Sequence, residues 1–593
     1  MKRRSFLAGA ALPLLGCQAA QDIAGGFTGI AHERGHLLRP STGSGQAARW
    51  PAPSVVHQTR VVIAGGGVAG LAAARALRLK DMDDFALLEL EDEAGGNSRG
   101  GAVNGIACPL GAHYLPVPGD NAPELQDLLE ELGLRQRVAG RWQYDERHLC
   151  HSPQERLFFK GEWQDGLLPL RGVGRDTLAQ YQKFALLVEQ ARQTGGWTIP
   201  VSKKPLKQAE SHNRKAYTAI TFIAFLSQNG LTDRHLRWYL DYCCRDDYGA
   251  GITTVSAWAG LHYFASRHGF HAPRGDAVGA LGAADAGDGA YAAEREGVFT
   301  WPEGNAWLTR RLAAPLKERL QTGWLVTRVA TVKHGVEVDA FHPARQSTHR
   351  WLAERCVVAL PIFIAARVVE NPPDFLRQAA ARTTYAPWLV ANIHIHTPLH
   401  DRPGPAPSWD NVIYDDTAGF ADAGGSAGGS ALGSAARSAD AGLRHGGLVG
   451  GGLASGGLGY VDAMHQSLQP VPGATVLTHY RALGDLPNGR KLLMDTPWST
   501  WRDLILSDLG RAHPDLARKT THIDITRYGH AMAIPIPQNS DQIGLQATSD
   551  KRSQLLKNEQ SKIENGPLSF AHSDWAGYSV FEEAFTLGHA AGR

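Results

Sequence analysis

The chain has 593 residues, 43% of them hydrophobic and 20% charged, enough apolar content to bury a large core and to build more than one domain. Lys plus Arg number 60 against 58 Asp plus Glu, a net charge of +2, so no nucleic-acid partner and no polyanion-binding surface is indicated. The six cysteines, Cys17, Cys108, Cys150, Cys243, Cys244 and Cys356, show no C-x-x-C pair or metal-ligand spacing, which argues against a metal site and a disulfide scaffold while leaving a single bridge open.

Lys2-Arg3-Arg4-Ser5-Phe6-Leu7 opens an apolar stretch to Leu15, shorter than the roughly 20 residues that span a bilayer, so residues 1–20 read as an export signal. The paired arginines resemble a twin-arginine signal, which implies the twin-arginine translocase as a partner during export and a periplasmic location. Leu14-Leu15-Gly16-Cys17 also resembles a lipobox; a lipid on Cys17 would anchor the protein to a membrane, whereas simple cleavage would release it. Residues 21–56, rich in Pro, Gly and Ser, are expected to form a flexible leader.

Residues 61–77, VVIAGGGVAGLAAARAL, join a buried-strand pattern to an Ala-rich helix through Gly65, Gly67 and Gly70. Gly65 serves the tight turn, Gly67 lets backbone N–H groups approach a diphosphate, and Gly70 lets the helix pack closely on the sheet. Val68 and Ala69 open that helix, whose positive end favours anions. A second apolar run, Phe85 to Leu88, ends at Glu89, roughly 20 residues on, where a dinucleotide fold places an acid for a ribose hydroxyl. The alternative is a Gly-rich turn that binds nothing.

After Glu89 the chain reads LEDEAGGNSRGG, and with the second pair Gly95 and Gly96 it resembles the FAD-binding amine oxidase superfamily, which includes phytoene desaturases and protoporphyrinogen oxidases. The resemblance implies FAD, with Gly95 and Gly96 on its diphosphate side. Where the family continues GGR this chain has Asn97, and Arg99 stands two positions later as the substitute phosphate or flavin contact. Gly111, Ala112 and His113 in CPLGAHYL are similar to the stretch beside the isoalloxazine ring. Residues 301–308 resemble the family's PxGxxxL start of a helix, strand-like residues 324–341 follow, and residues 357–360, stopped by Pro361, resemble its return strand. Residues 567–593 are similar to the C-terminal flavin motif, in which Asp574 would bond the ribityl or phosphate chain. Ser579 and Glu582 form an S-x-x-E capping box, so a helix is expected from about Ser579 with its N-terminus toward the flavin. No Cys follows Cys356, which implies noncovalent FAD.

The expected fold is α/β: a Rossmann-type FAD-binding domain of residues 57–120, 296–370 and 560–593, interleaved with an α+β substrate domain of residues 121–295 and 371–559. ALLVEQAR, AYTAITFIAFLSQ and LRWYLDYCCRDDYG suggest helices in the latter. Residues 277–293 and 550–564 read as surface loops. A Gly, Ser and Ala-rich insertion at 420–459 has too little apolar surface to offset its ordering entropy and is expected to be disordered.

The family implies an oxidoreductase that moves a hydride from a substrate C–H to flavin N5, followed by reoxidation by oxygen or a quinone. A primary or secondary amine is the leading small-molecule substrate. It must be neutral to react, so an aromatic cage is expected, with Tyr528, Trp575 and Tyr578 as candidates and His530 nearby. In the last predicted helix Asp241, Arg245 and Tyr248 would share one face while Asp246 and Asp247 look elsewhere; acids at a pocket mouth would suit a diamine or polyamine. Many amine oxidases carry a Lys bridged by water to flavin N5, but the comparable strand, PWLVANIHIHT, has Asn392 there, and His394 and His396 on one face. A desaturase or isomerase acting on a polyene or lipid, with an apolar tunnel free of buried acids, and a non-catalytic flavoprotein acting in binding or assembly are the alternatives.

Overall fold

In the computed structural model the described residues are 22–39, 50–152, 154–201, 214–273, 297–415, 457–467, 471–538 and 566–593. The export signal with Cys17, the loops at 277–293 and 550–564, and the Gly-rich insertion up to residue 456 lie outside them; the insertion's last three residues belong to the strand Gly457–Asp462.

Five short parallel strands form one sheet in the spatial order Leu320–Gln321, Phe85–Leu88, Val61–Ala64, Arg355–Val358, Leu568–Phe570. Every side chain of Val61–Ala64 and Phe85–Leu88 is buried, as expected for strands covered on both faces. The winding reverses between Val61–Ala64 and Arg355–Val358, and a crevice at the carboxyl ends of such strands is where open α/β sheets bind ligands. The fingerprint helix, Val68–Arg78, and the C-terminal helix, Phe581–Gly592, pack backbone to backbone on this sheet. A Cβ on Gly588 would lie 2.0 Å from the Ala69 carbonyl oxygen, so no larger residue permits that approach. The strand-like residues 324–341 fold as an antiparallel hairpin, Leu325–Val332 with Gly335–His342.

An eight-stranded mixed sheet carries the other half, with Tyr385–Ile395 between Thr520–Ala533 and Thr475–Ala482 at its centre. Helices Arg175–Gln193, Phe222–Gln228, Arg234–Tyr248 and Ala257–Ala265 cover it through a core that includes Phe184, Phe222, Leu236 and Leu261. The helix expected across AYTAITFIAFLSQ is broken at Thr221, whose hydroxyl accepts the Ala224 N–H and caps Phe222–Gln228.

Two expectations fail here. Residues 21–56 are not simply a flexible leader: Ala24–Thr28 is a strand of the eight-stranded sheet, His32–His36 is helical, and Val55–Gln58 pairs with Ser347–Ala353. The capping box is also absent. The C-terminal helix has Val580 as its N-cap with no side-chain cap, and the Ser579 hydroxyl instead accepts the Ala533 N–H at 3.0 Å.

Candidate active site

A cavity of about 460 Å³ opens at the reversal of the parallel sheet. Its wall brings together residues that lie hundreds of positions apart: Gly65 to Ala69, Glu89, Gly95 to Ser98, Gly111 to His113, Asp574 and Val580 to Glu582. Gly65 has φ +105°, and a Cβ there would sit 2.4 Å from the Ala359 carbonyl oxygen. A Cβ on Gly70 would meet the Gly65 oxygen at 1.8 Å, so Gly70 stands behind the wall and sets how closely helix and turn approach. Gly67 differs: its φ of −70° suits any residue, and a Cβ would find nothing nearer than Gly96 Cα at 3.9 Å. Only the cavity benefits from the missing side chain. The two glycine loops are joined by the bond from Gly95 N–H to the Gly66 oxygen at 2.8 Å.

The helices Val68–Arg78 and Phe581–Gly592 both begin in this wall and neither has a side-chain cap. Each presents a partial positive end on the order of half a charge to whatever is bound. Two buried polar atoms of wall residues, Asn305 Oδ1 and Trp388 Nε1, have no hydrogen-bond partner among the described residues. Bare glycine backbone, uncapped helix ends and unpaired polar atoms fit a long anionic ligand with polar ring edges, as FAD is.

Glu89 Oε2 accepts the Gly66 N–H and Oε1 the Glu91 N–H, each at 2.8 Å, which fixes the carboxyl at the wall. Burial pushes its pKa up, against those two bonds. Asp574 also faces the cavity, but protein groups surround it: Oδ2 accepts from Tyr385 Oη at 2.6 Å and from Ile362 N–H at 3.1 Å, while Oδ1 lies 3.0 Å from His572 Nδ1. Burial alone would raise the Asp574 pKa; His572, Tyr385 and the Ile362 amide outweigh it and hold the carboxyl low.

Three sequence assignments need correction. Arg99 does not line the cavity; its guanidinium donates to the Gly29 oxygen at 2.7 Å and the Gly96 oxygen at 3.2 Å, and lies 3.5 Å from Glu91. Trp575 packs against Phe375 and Phe570 outside the cavity, and Tyr578 is fully buried with its hydroxyl donating to Glu583 at 2.8 Å. Of the expected cage, only Tyr528 is in the wall, with His530 beside it, and its hydroxyl donates to the Leu110 oxygen. Other aromatic residues share the wall: Tyr480 stacks on His113 with ring centroids 4.4 Å apart, and Trp388 and Tyr114 are among the lining. Burial pushes the His113 imidazole down to about 3, so it is neutral.

The largest surprise is the acid helix. Asp241 and Arg245 do share a face, joined at 2.8 Å, but they lock the loop at Ile252, whose N–H donates to Asp241. It is Asp246 and Asp247 that line the cavity, together with Glu582 and Arg267. Asp247 is ion-paired with Arg267 at 3.0 Å. Among the described residues no cation is ion-paired with Asp246, which accepts the Tyr114 hydroxyl at 3.3 Å. Burial, aided by Asp247, pushes the Asp246 carboxyl up to about 7, and burial likewise lifts Glu582 to about 7.

These two shifts set a pH dependence. Both groups hold their protons to higher pH in the fold than in the unfolded chain, where carboxyls titrate near about 4. The stability they contribute is therefore complete below about pH 4 and is lost as the pH rises through about 7. The double variant Asp246→Asn/Glu582→Gln should melt above the wild type at about pH 8, with the gap closing toward about pH 4. Melting curves in parallel across that range would reject burial as the cause if the gap stayed constant.

Asn392 is fully buried and its amide is used within the protein, donating to the Pro109 oxygen at 3.0 Å and accepting from Thr478 Oγ1 at 2.8 Å. It does not reach the cavity, and no lysine lines the cavity among the described residues. His394 bonds Thr521 and His396 bonds the Lys519 oxygen.

Residues 68–424 match the family of flavin containing amine oxidoreductases. Similar solved structures include a putrescine oxidase redesigned in its cofactor binding, with 16% identity, a TM-score of 0.58 and 91% of this chain covering 98% of that one. Cyclohexylamine oxidase from Brevibacterium oxydans IH-35A is similar at 17% identity and a TM-score of 0.55, over 90% of this chain and 98% of that one. A CLA-producing fatty acid isomerase from P. acnes reaches a TM-score of 0.56 at 14% identity, over 90% of this chain and 97% of that one. Among curated proteins, Baeyer-Villiger monooxygenase peniC of Penicillium patulum is 35% identical over 88 residues, 15% of this chain and only 14% of that protein's length. With its parallel sheet, glycine cradle and α+β substrate half, the chain belongs to the flavin containing amine oxidoreductase family and is an FAD-dependent oxidoreductase.

Proposed function

We propose that the enzyme oxidises a primary or secondary amine, and that Asp246 takes the proton an incoming ammonium must lose. Gly65 to Ala69 and Gly95 to Ser98 would hold the FAD diphosphate, Glu89 a ribose hydroxyl, and Val580 to Glu582 the ring end; when bound, the flavin supplies a two-electron acceptor. The observation that carries the amine reading is the wall itself: besides Glu89 and Asp574 it carries the carboxyls of Asp246, Asp247 and Glu582, among apolar and aromatic side chains. A carboxyl poised at about 7 is well placed to accept a proton near neutral pH. Tyr114 orients Asp246 Oδ2, and the Asp247–Arg267 pair keeps one negative charge compensated. The aromatic faces of Tyr480, Tyr528 and Trp388 exclude water, which favours the neutral amine. A polyene or lipid substrate would be better served by a wall without these acids.

A quinone or another acceptor, rather than oxygen, fits the absence of lysine among the described cavity residues. The five described cysteines are buried and unpaired, and none lines the cavity, which supports noncovalent FAD. The export signal read from residues 1–20 supports a location outside the cytoplasm for this activity. Anaerobic absorbance of the yellow holoenzyme against amines, diamines and unsaturated fatty acids tests the proposal. Amines are expected to bleach the flavin, and a quinone to restore the colour faster than air; bleaching by the lipids alone would reject the amine reading.

A further inference from the structure

The segment that sequence composition marks as leader builds part of the cofactor site. We propose that residues 24–39 form a clasp that retains FAD by tying the edge of the substrate sheet to the loop that carries Glu89.

The clasp begins as a strand. Ala24–Thr28 runs parallel to Thr520–Ala533 in continuous register, from Ala24 opposite His522 to Thr28 opposite Thr526. Gly25, at φ +135°, could not carry a side chain there, because a Cβ would sit 1.9 Å from the Ile523 oxygen. The Arg527 guanidinium lies 3.6 Å from the centroid of the Phe27 ring and covers it. The chain then turns at Gly29 and crosses to the dinucleotide half.

There it is fastened at successive points. The Gly29 oxygen accepts from Arg99, and the Ala31 N–H donates to both oxygens of Glu91 at 3.3 Å. Arg34 grips Asp92 through two bonds of 2.8 and 3.1 Å and donates to the Leu90 oxygen at 3.2 Å. These contacts place Gly35 and Leu38 in the cavity wall, facing the same space as Glu89 and Leu90. Arg99, assigned from its motif to the phosphates, is thus a strut between the clasp and the glycine loop. A dinucleotide held at Glu89 has the clasp as part of its enclosure, so its release includes the opening of residues 24–39. By reciprocity, bound FAD must stabilise the closed clasp.

Arg34 and Asp92 are the pair to test, because neither lines the cavity and the Asp92 side chain is 80% exposed. Arg34→Glu in the full-length holoenzyme should speed FAD release about fivefold, read as the appearance of free flavin fluorescence after dilution. The swap Arg34→Glu/Asp92→Arg should return the rate toward wild type. Hydrogen exchange at the amides of residues 26–31 should slow when apoprotein is loaded with FAD. A release rate for Arg34→Glu within twofold of wild type, or exchange indifferent to FAD, would overturn the clasp. Should Arg34→Glu yield no folded holoenzyme, Asp92→Asn, which changes only the exposed partner, is held to the same rate criterion. None of these readings involves a substrate, so they stand or fall apart from the amine proposal.

Discussion

Gly67→Leu is expected to give a folded protein that purifies without colour. At this position the backbone makes no demand for glycine, since φ is −70°, and the nearest atom to a Cβ is 3.9 Å away. A leucine would therefore fold in place and extend into the cavity, across the N-terminus of the Val68–Arg78 helix, where the proposed cradle puts the diphosphate. We expect FAD content, measured by absorbance against protein concentration, to fall by at least about tenfold, with the far-ultraviolet circular dichroism unchanged. Gly70→Leu provides the contrast. Its Cβ would meet backbone at 1.8 Å, so both fold and colour should be lost. A Gly67→Leu protein that keeps its full complement of FAD would place the diphosphate elsewhere and undo the assignment of the cradle.

Asp246→Asn should cost about a hundredfold in kcat/KM for the best amine, at the lower end of what a positioned proton acceptor contributes. The diagnostic reading is the pH profile. The wild type should gain activity as Asp246 ionises, around pH 7, and the variant should lose that limb. Tyr114→Phe separates this from a general disturbance. Its hydroxyl bond lowers the Asp246 pKa, so removing it should move the limb to higher pH while keeping a high plateau. Steady-state rates of the three proteins across pH decide the matter: an Asp246→Asn enzyme with an unaltered profile would assign the proton to Glu582 or to solvent. The Asp247–Arg267 pair is left intact in both variants, so the cavity keeps its compensated charge.

The cofactor half was legible because its chemistry is local. A strand of buried apolar residues, a glycine turn and the helix that follows are adjacent in the chain, and Gly65 and Gly70 answer to steric conditions within a few residues or one strand away. The same holds for Glu89, which closes on the Gly66 N–H. The C-terminal motif was read in the right place but with the wrong detail: Ser579 looked like a cap because Glu582 follows at the right spacing, yet Ala533, from a strand of the other sheet, takes the hydroxyl first.

The substrate half was less legible because its side chains are sorted by distant neighbours. Helical spacing correctly set Asp241 with Arg245 and apart from Asp246 and Asp247, but spacing does not say which face meets a cavity. That was decided by the loop at Gly251 and Ile252, which occupies the Asp241 side and leaves Asp246 and Asp247 turned toward Tyr114 and Arg267. Trp575 and Tyr578, neighbours of Asp574 in the chain, point away from the cavity because Phe375, Phe570 and Glu583 hold them elsewhere. Composition misjudged part of residues 21–56 for a related reason: Pro, Gly and Ser suggest a loose chain, whereas Gly25 is needed for close pairing against Ile523.

The amino-acid sequence by itself determined a dinucleotide-type cradle, since a glycine turn between strand and helix needs only short-range geometry to receive a diphosphate, and its resemblance to the flavin family implied the oxidoreductase. Which acids and which aromatics line the cavity, and which segments wall it, were decided only by tertiary structure. Those features depend on contacts between residues hundreds of positions apart, and the free energy that orients each side chain comes from the neighbour it meets rather than from its place in the chain.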